Sequence, residues 1–190
     1  NGTDANKEQV EQVLNQLNQA SENLNGDQRV QEAKTDANNT IDQLKYLNAS
    51  QQQTAKDNVQ HATKLDEIAT AKANAQALNK AMGQLKQFID DADSVEHGDN
   101  YRQADDDRIT AYDDALEHAQ NVIKTNATQQ EIEEAIHQIS HAKNDLNGIA
   151  RLVEARPKAL AYINSLDKIN DAQRTALVDK INQSHDLIEN

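Results

Sequence analysis

Apolar residues recur three or four apart along most of this chain, the spacing that puts them on one face of an α-helix. Residues 6–24 place Val10, Val13, Leu14, Leu17, Ala20 and Leu24 on such a stripe. Asn6 and Gln9 are spaced as an N-terminal cap pair, and Asn25-Gly26 is the expected break or kink. The next helix carries Val30, Ala33, Ala37, Ile41 and Leu44 and ends before Asn48, which with Gln51 forms another cap pair. A short helix follows, with Ala55, Val59 and Ala62 inward. Thr63 then opens the longest run, through Leu65, Ile68, Ala75, Leu78, Met82, Leu85, Ile89 and Ala92, spaced nearly as a coiled-coil seam. The pattern predicts one helix over 64–95, about 50 Å long at ~1.5 Å per residue, closing one bundle and opening the next. Asp99 is placed to cap a helix that turns Tyr101, Ala104, Arg108, Ile109, Tyr112, Leu116, Ala119 and Ile123 to one side. Thr128 and Glu131 cap another, with Ile132, Ala135, Ile136, Ile139, Ala142 and Leu146. Leu152, Ala155, Ala159, Ile163, Leu166 and Ile169 lead the last stretch, followed by Asn170 and Gln173 as a cap pair and by Leu177 and Ile181. Pro157 within it removes a backbone donor and predicts a kink or a new helix start.

The pattern also repeats at long range. Leu24-Asn25-Gly26 returns 122 residues later as Leu146-Asn147-Gly148. The same offset pairs Val10 with Ile132, Leu14 with Ile136, Leu17 with Ile139 and Ala20 with Ala142. Downstream it pairs Arg29 with Arg151, Glu32 with Glu154, Ala37 with Ala159, Ile41 with Ile163, Asn48 with Asn170, Leu65 with Leu187 and Glu67 with Glu189. Self-similarity at this period marks an array, built for length or for multivalent contact. The chain begins and ends inside a repeat, the pattern expected of a segment of a longer protein.

Composition narrows the fold class. Only 36% of the 190 residues are hydrophobic and 3% aromatic, with 5 Gly, 1 Pro and no Trp. One large core is disfavoured, and several slim aliphatic cores between helices fit better. The expected fold is all-α: tandem three-helix bundles joined by long shared helices into an elongated rod. Net charge is −13, and it is uneven: residues 90–148 carry 15 acidic against 4 basic groups, residues 24–89 carry 7 against 8. Nucleic acid is excluded as a partner, because phosphate binding needs a concentrated basic surface. The absence of cysteine excludes disulfides and thiol chemistry.

Particular residues give the repeat a family likeness. The stretch Glu32-Ala33-Lys34, Ile41, Leu44, Leu47-Asn48, Val59, Ala62, Leu65, Glu67-Ile68, Lys72, Ala75 and Ala77-Leu78-Asn79 resembles a GA module. The stretch Asn100-Tyr101, Ala104-Asp105, Ala111-Tyr112-Asp113-Asp114-Ala115-Leu116, Ala119 and Ile123, closing with Leu146-Asn147-Gly148, resembles a FIVAR module. Their alternation is similar to that of the giant staphylococcal extracellular-matrix-binding proteins of the Ebh/Embp type. On that resemblance, residues 1–23 are the last helix of a FIVAR-like module and 24–89 a GA-like module. Residues 90–148 are a FIVAR-like module whose first helix, about 80–97, is shared with the preceding one, and 149–190 are part of another GA-like module. The resemblance implies a cell-wall-associated surface adhesin that binds host extracellular matrix, with fibronectin as the partner, weakly per module. A non-binding structural spacer is the alternative. Some GA modules bind serum albumin through apolar and aromatic side chains around their second helix. Here Gln51 to Val59 carries no aromatic, which puts albumin binding third.

Three groups of residues invite a chemical reading. His137 and His141 stand at i, i+4, a spacing able to hold zinc. A zinc-peptidase pattern would need Glu beside the first His, where Gln138 stands, and the other copy has Asn15 and Gln19 at the pair. A solvent-exposed pair is the favoured reading. Asp90, Asp91, Asp93, Glu96, Asp99, Asp105, Asp106 and Asp107 crowd one span but lack the spacing of a calcium loop, so a solvated acidic face is expected. Tyr101 and Tyr112 lie on an apolar stripe, so core packing outweighs a role as binding anchors. No nucleophile, phosphate-loop or dinucleotide motif occurs, and an enzyme is not expected. No catalytic, cofactor-binding or metal-ligating residue is assigned, no cofactor is expected, and the ligand-binding residues stay open. A monomer is expected, without membrane insertion in this segment.

Overall fold

The structure, a computed structural model, describes residues 2–187, with side chains from residue 6 onward. Glu189, the repeat partner of Glu67, and the last residues of the terminal GA-like stretch therefore lie outside the described residues. Every regular element among the described residues is a helix: α1 Gly2–Asp42, α2 Ala49–His61, α3 Leu65–Asp90, α4 Ala92–Glu96, α5 Asp99–Arg102, α6 Asp106–Val122, α7 Gln129–Asp145, α8 Gly148–Asn164 and α9 Asp171–Gln183. The chain divides into two compact units, residues 1–80 and 81–190, with the division inside α3.

In the first unit, α1, α2 and α3 enclose a small aliphatic core of Ala37, Ile41, Ala55, Val59, Ala62, Ile68 and Ala75, flanked by Val30, Ala33, Leu44 and Ala71. Small side chains let the helices approach closely, so little apolar volume suffices to bring three helices together. Polar ties border this core: Lys72 Nζ meets Asp36 Oδ2 at 2.7 Å, Lys56 meets Asp42 at 2.5 Å, and Lys34 Nζ donates to the Gln60 carbonyl at 2.7 Å. Asn48 and Gln51 form a reciprocal capping box at the start of α2, and Gln51 is itself buried. At the entry to α3, Glu67 reaches back to the Thr63 and Lys64 backbone N–H groups at 2.8 and 3.3 Å. Those bonds favour the ionised carboxylate and lower its pKa, with the Thr63 N–H the largest cause.

Two expectations fail in α1. Asn25-Gly26 does not break the helix, which runs unbroken from Gly2 to Asp42, and Asn6 lies inside it rather than at a cap. An isolated Gly costs a helix only ~1 kcal/mol, and here the flanking segments are both helical. The stripe on the first half of α1 is exposed: Val10 58%, Val13 54%, Leu14 52%, Leu17 60% and Leu24 74%.

In the second unit the distal part of α3 supplies Ala81, Met82 and Leu85, and α6 and α7 supply Tyr112, Ala115, Leu116, Ala119, Ile132, Ala135, Ile139 and Ala142, all buried. Lys143 Nζ of α7 lies 5.7 Å from the Phe88 ring centroid, a cation–π contact that covers the edge of this core. Ile132 and Ile139, the counterparts of the exposed Val10 and Leu17, are 0% exposed because α6 packs on α7. Thr128 with Glu131 caps α7, and Asn170 with Gln173 caps α9, both as complete capping boxes.

Three boundaries in this unit differ from the sequence pattern. The long helix stops at Asp90; Asp91 stands between it and α4, so the stretch predicted as one helix is two. The helix expected from Asp99 to Ile123 is split into α5 and α6, and the cap of α5 is Gly98, not Asp99. Asp105 takes an extended conformation (φ −64°, ψ 143°) that no helix continues through. Pro157 lies within α8, so it does not start a helix. No described helix is long and apolar enough to cross a membrane.

Candidate functional site

The segment that splits α5 from α6 is held from outside itself. Asn147, at the start of α8, accepts a hydrogen bond from the Asp105 N–H at 3.0 Å and donates to the Asp105 carboxylate at 2.7 Å. Arg151, one turn into α8, donates to the Gln103 carbonyl at 2.7 Å and pairs with Asp105 Oδ1 at 3.2 Å. Ile149 N–H donates to Asn100 Oδ1 at 3.2 Å. The Asp105 N–H and the Gln103 carbonyl, which a continuous helix would pair internally, are thus satisfied by α8.

The residues that follow α9 reach the same segment. His185 Nδ1 lies 2.7 Å from Asp99 Oδ2, and Leu187 N–H donates to the buried Gln103 side chain at 2.9 Å. Arg156 donates to the Ser184 carbonyl at 2.8 Å, fixing the turn that presents His185. Gly148 marks the closest approach. A Cβ there would run into the Asp99 carbonyl and come within 2.7 Å of the Asn100 carbonyl and 2.9 Å of the Ala104 N, all backbone atoms. At Gly26, the same position of the other copy, a Cβ would meet nothing within 4 Å. Sequence reading marked Asn147-Gly148 only as a repeat boundary and missed Gln103, Arg151 and His185 as members of the hydrogen-bond network around it. The signal available was the LNG triplet itself, since a Gly at an expected helix boundary invites a close backbone approach.

The acidic residues are spread among separate partners. Asp90 pairs with Lys86 at 2.7 Å, Asp93 with His97 at 3.5 Å, Asp99 with His185, and Asp105 with Arg151, Asn147 and, at 3.9 Å, Arg108. Among the described residues, no three His, Asp or Glu side chains are grouped so as to hold a metal ion. Tyr112 is 1% exposed and Tyr101 partly buried. Their rings meet edge to face, 5.8 Å apart at 74°. Tyr101 OH donates to Asp113 at 2.8 Å. Burial, and for Tyr101 also the Asp113 bond, pushes both phenols up to about 12.

His137 and His141 lie on the exposed side of α7, ring centroids 6.2 Å apart and tilted 31°. They line an open groove whose other wall is Ala111, Asp114 and Ala115 of α6. His141 Nδ1 contacts Asp145 Oδ2 at 2.9 Å.

The architecture is that of a modular repeat protein, with helical bundles in tandem and recurring capping boxes. The FIVAR domain family matches residues 1–25 and 81–147, and the GA module family matches 27–81 and 149–189. The chain belongs to this family of alternating FIVAR and GA modules. It is 43% identical over 159 residues to the extracellular matrix-binding protein ebh of Staphylococcus aureus strain MRSA252, covering 84% of this chain. It is 44% identical over 184 residues to ebh of strain MW2, covering 95% of this chain. It spans 2% of the length of each of these relatives. The solved structure of the S. aureus EbhA 756–1003 domain superposes with a TM-score of 0.79 at 27% identity, covering 86% of this chain and 68% of that one. A second structure, from work on Embp-mediated adherence of Staphylococcus epidermidis to fibronectin, superposes at 0.60 with 29% identity, covering 63% and 98%.

Proposed function

We propose that this chain is a repeat segment of a cell-wall-associated bacterial surface adhesin that binds host extracellular matrix, with fibronectin as ligand, through many weak contacts. The observation that carries the reading is the alternation of FIVAR and GA modules along nearly the whole chain, shared with proteins named for matrix binding. The fibronectin adherence attributed to the structurally similar Embp supports the choice of ligand. In this reading the modules are 1–23, 24–89, 90–148 and 149–190, and the chain is a monomer without catalytic activity. Linked weak sites gain affinity through effective concentration, so the array itself is the mechanism.

A second reading, a spacer that supplies length, is favoured by the polar lock around Gly148. It fixes one module on the next with six side-chain and backbone hydrogen bonds. The two separate by measuring fibronectin binding to this chain and to arrays of several repeats. Affinity climbing steeply with repeat number supports adhesion; no binding by folded chains of any length leaves the spacer.

A further inference from the structure

We propose that His137 and His141 form a chelating site for one borderline divalent transition ion, such as Zn²⁺ or Cu²⁺, at the groove between α6 and α7. Side chains at i and i+4 on a helix are neighbours, and imidazole is a ligand suited to these ions. Both rings are exposed, so they turn toward a shared ion at about 2.0–2.1 Å per Zn–N bond without disturbing the core.

The structure shows a support behind one of the rings. Asp145, one turn further along α7, holds His141 Nδ1 at 2.9 Å. A carboxylate on one ring nitrogen fixes the tautomer, leaves Nε2 with its lone pair, and makes the ring a better ligand. Asp114, from α6, lies on the far wall of the groove that the histidines line. With no third ligand already in place among the described residues, the site is open, with water completing the coordination. It belongs to this FIVAR unit alone of the two copies, because Asn15, Gln19 and Asn23 stand in the positions of His137, His141 and Asp145.

The test is a Zn²⁺ titration of the whole protein, followed by NMR of the histidine rings. His61, His97, His118 and His185 serve as internal controls. The expected result is that His137 and His141 shift together and saturate at one ion per chain, while the controls stay still. His137→Gln or His141→Gln abolishes the saturable step with helix content unchanged, and Asp145→Asn weakens it by about tenfold or more. Two results overturn the site: no coordinated shift of the pair, or Ca²⁺ reproducing the Zn²⁺ response, which would mean diffuse attraction to the acidic surface.

Discussion

Two glycines in equivalent positions do opposite things. Gly148 is wedged against the backbone of residues 99–104, where a methyl group has no room; Gly26 lies in open space on a continuous helix. Gly148→Ala is expected to destabilise the second unit by about 1–3 kcal/mol through overpacking. Gly26→Ala is expected to stabilise α1 by about 0.5–1 kcal/mol, through helix propensity and a less free unfolded chain. Urea unfolding of both variants checks the pair, and equal effects of the same sign would refute the packing argument. The histidine pair shows how far residues alone could be read. Its i, i+4 spacing was visible in the sequence, as was that of Asp145 behind His141; the groove in front came from α6 and α7 brought together by the fold.

At the scale of elements, capping chemistry was the most legible feature. Asn48/Gln51, Thr128/Glu131 and Asn170/Gln173 each form the reciprocal box that their spacing announced. Removing the Thr128 hydroxyl with Thr128→Ala should cost about 1 kcal/mol of stability. Glu131 adds a pH signature. The Thr128 backbone N–H, followed by its hydroxyl, lowers the Glu131 pKa below the ordinary 4.5. Its contribution is therefore complete above 4.5 and is lost as pH falls through the lower folded value. Glu131→Gln should flatten that part of an acid titration of stability, and an unchanged slope would count against the cap. Where element boundaries were misread, the cause was local in one case and tertiary in another. Asn25-Gly26 carries a break signal too weak to stop a helix, whereas the split at Asp105 depends on Asn147 and Arg151 from 42 and 46 residues away.

For the whole molecule, charge is unevenly distributed, with the excess of acid concentrated in residues 90–148. Packing so many carboxylates on one slim unit costs stability through self-repulsion. Raising ionic strength from about 0.01 M to about 1 M shortens the screening length from ~30 Å to ~3 Å. The melting temperature of the chain should rise across that range in a calorimetric scan; a fall would mean that its ion pairs outweigh the repulsion.

The sequence by itself determined the all-helical class, the apolar stripes, three of the capping boxes and the long repeat, because each follows from spacing and local propensity. It did not determine what one repeated stretch becomes. Leu24-Asn25-Gly26 lies in the middle of a helix, while Leu146-Asn147-Gly148 ends one helix and begins another. The stripe above the first triplet is exposed, and key members of the equivalent stripe are buried. In the second copy α6 covers the stripe and the 99–105 segment bonds the triplet, so its conformation is set by contacts from residues far along the chain, which local spacing does not encode.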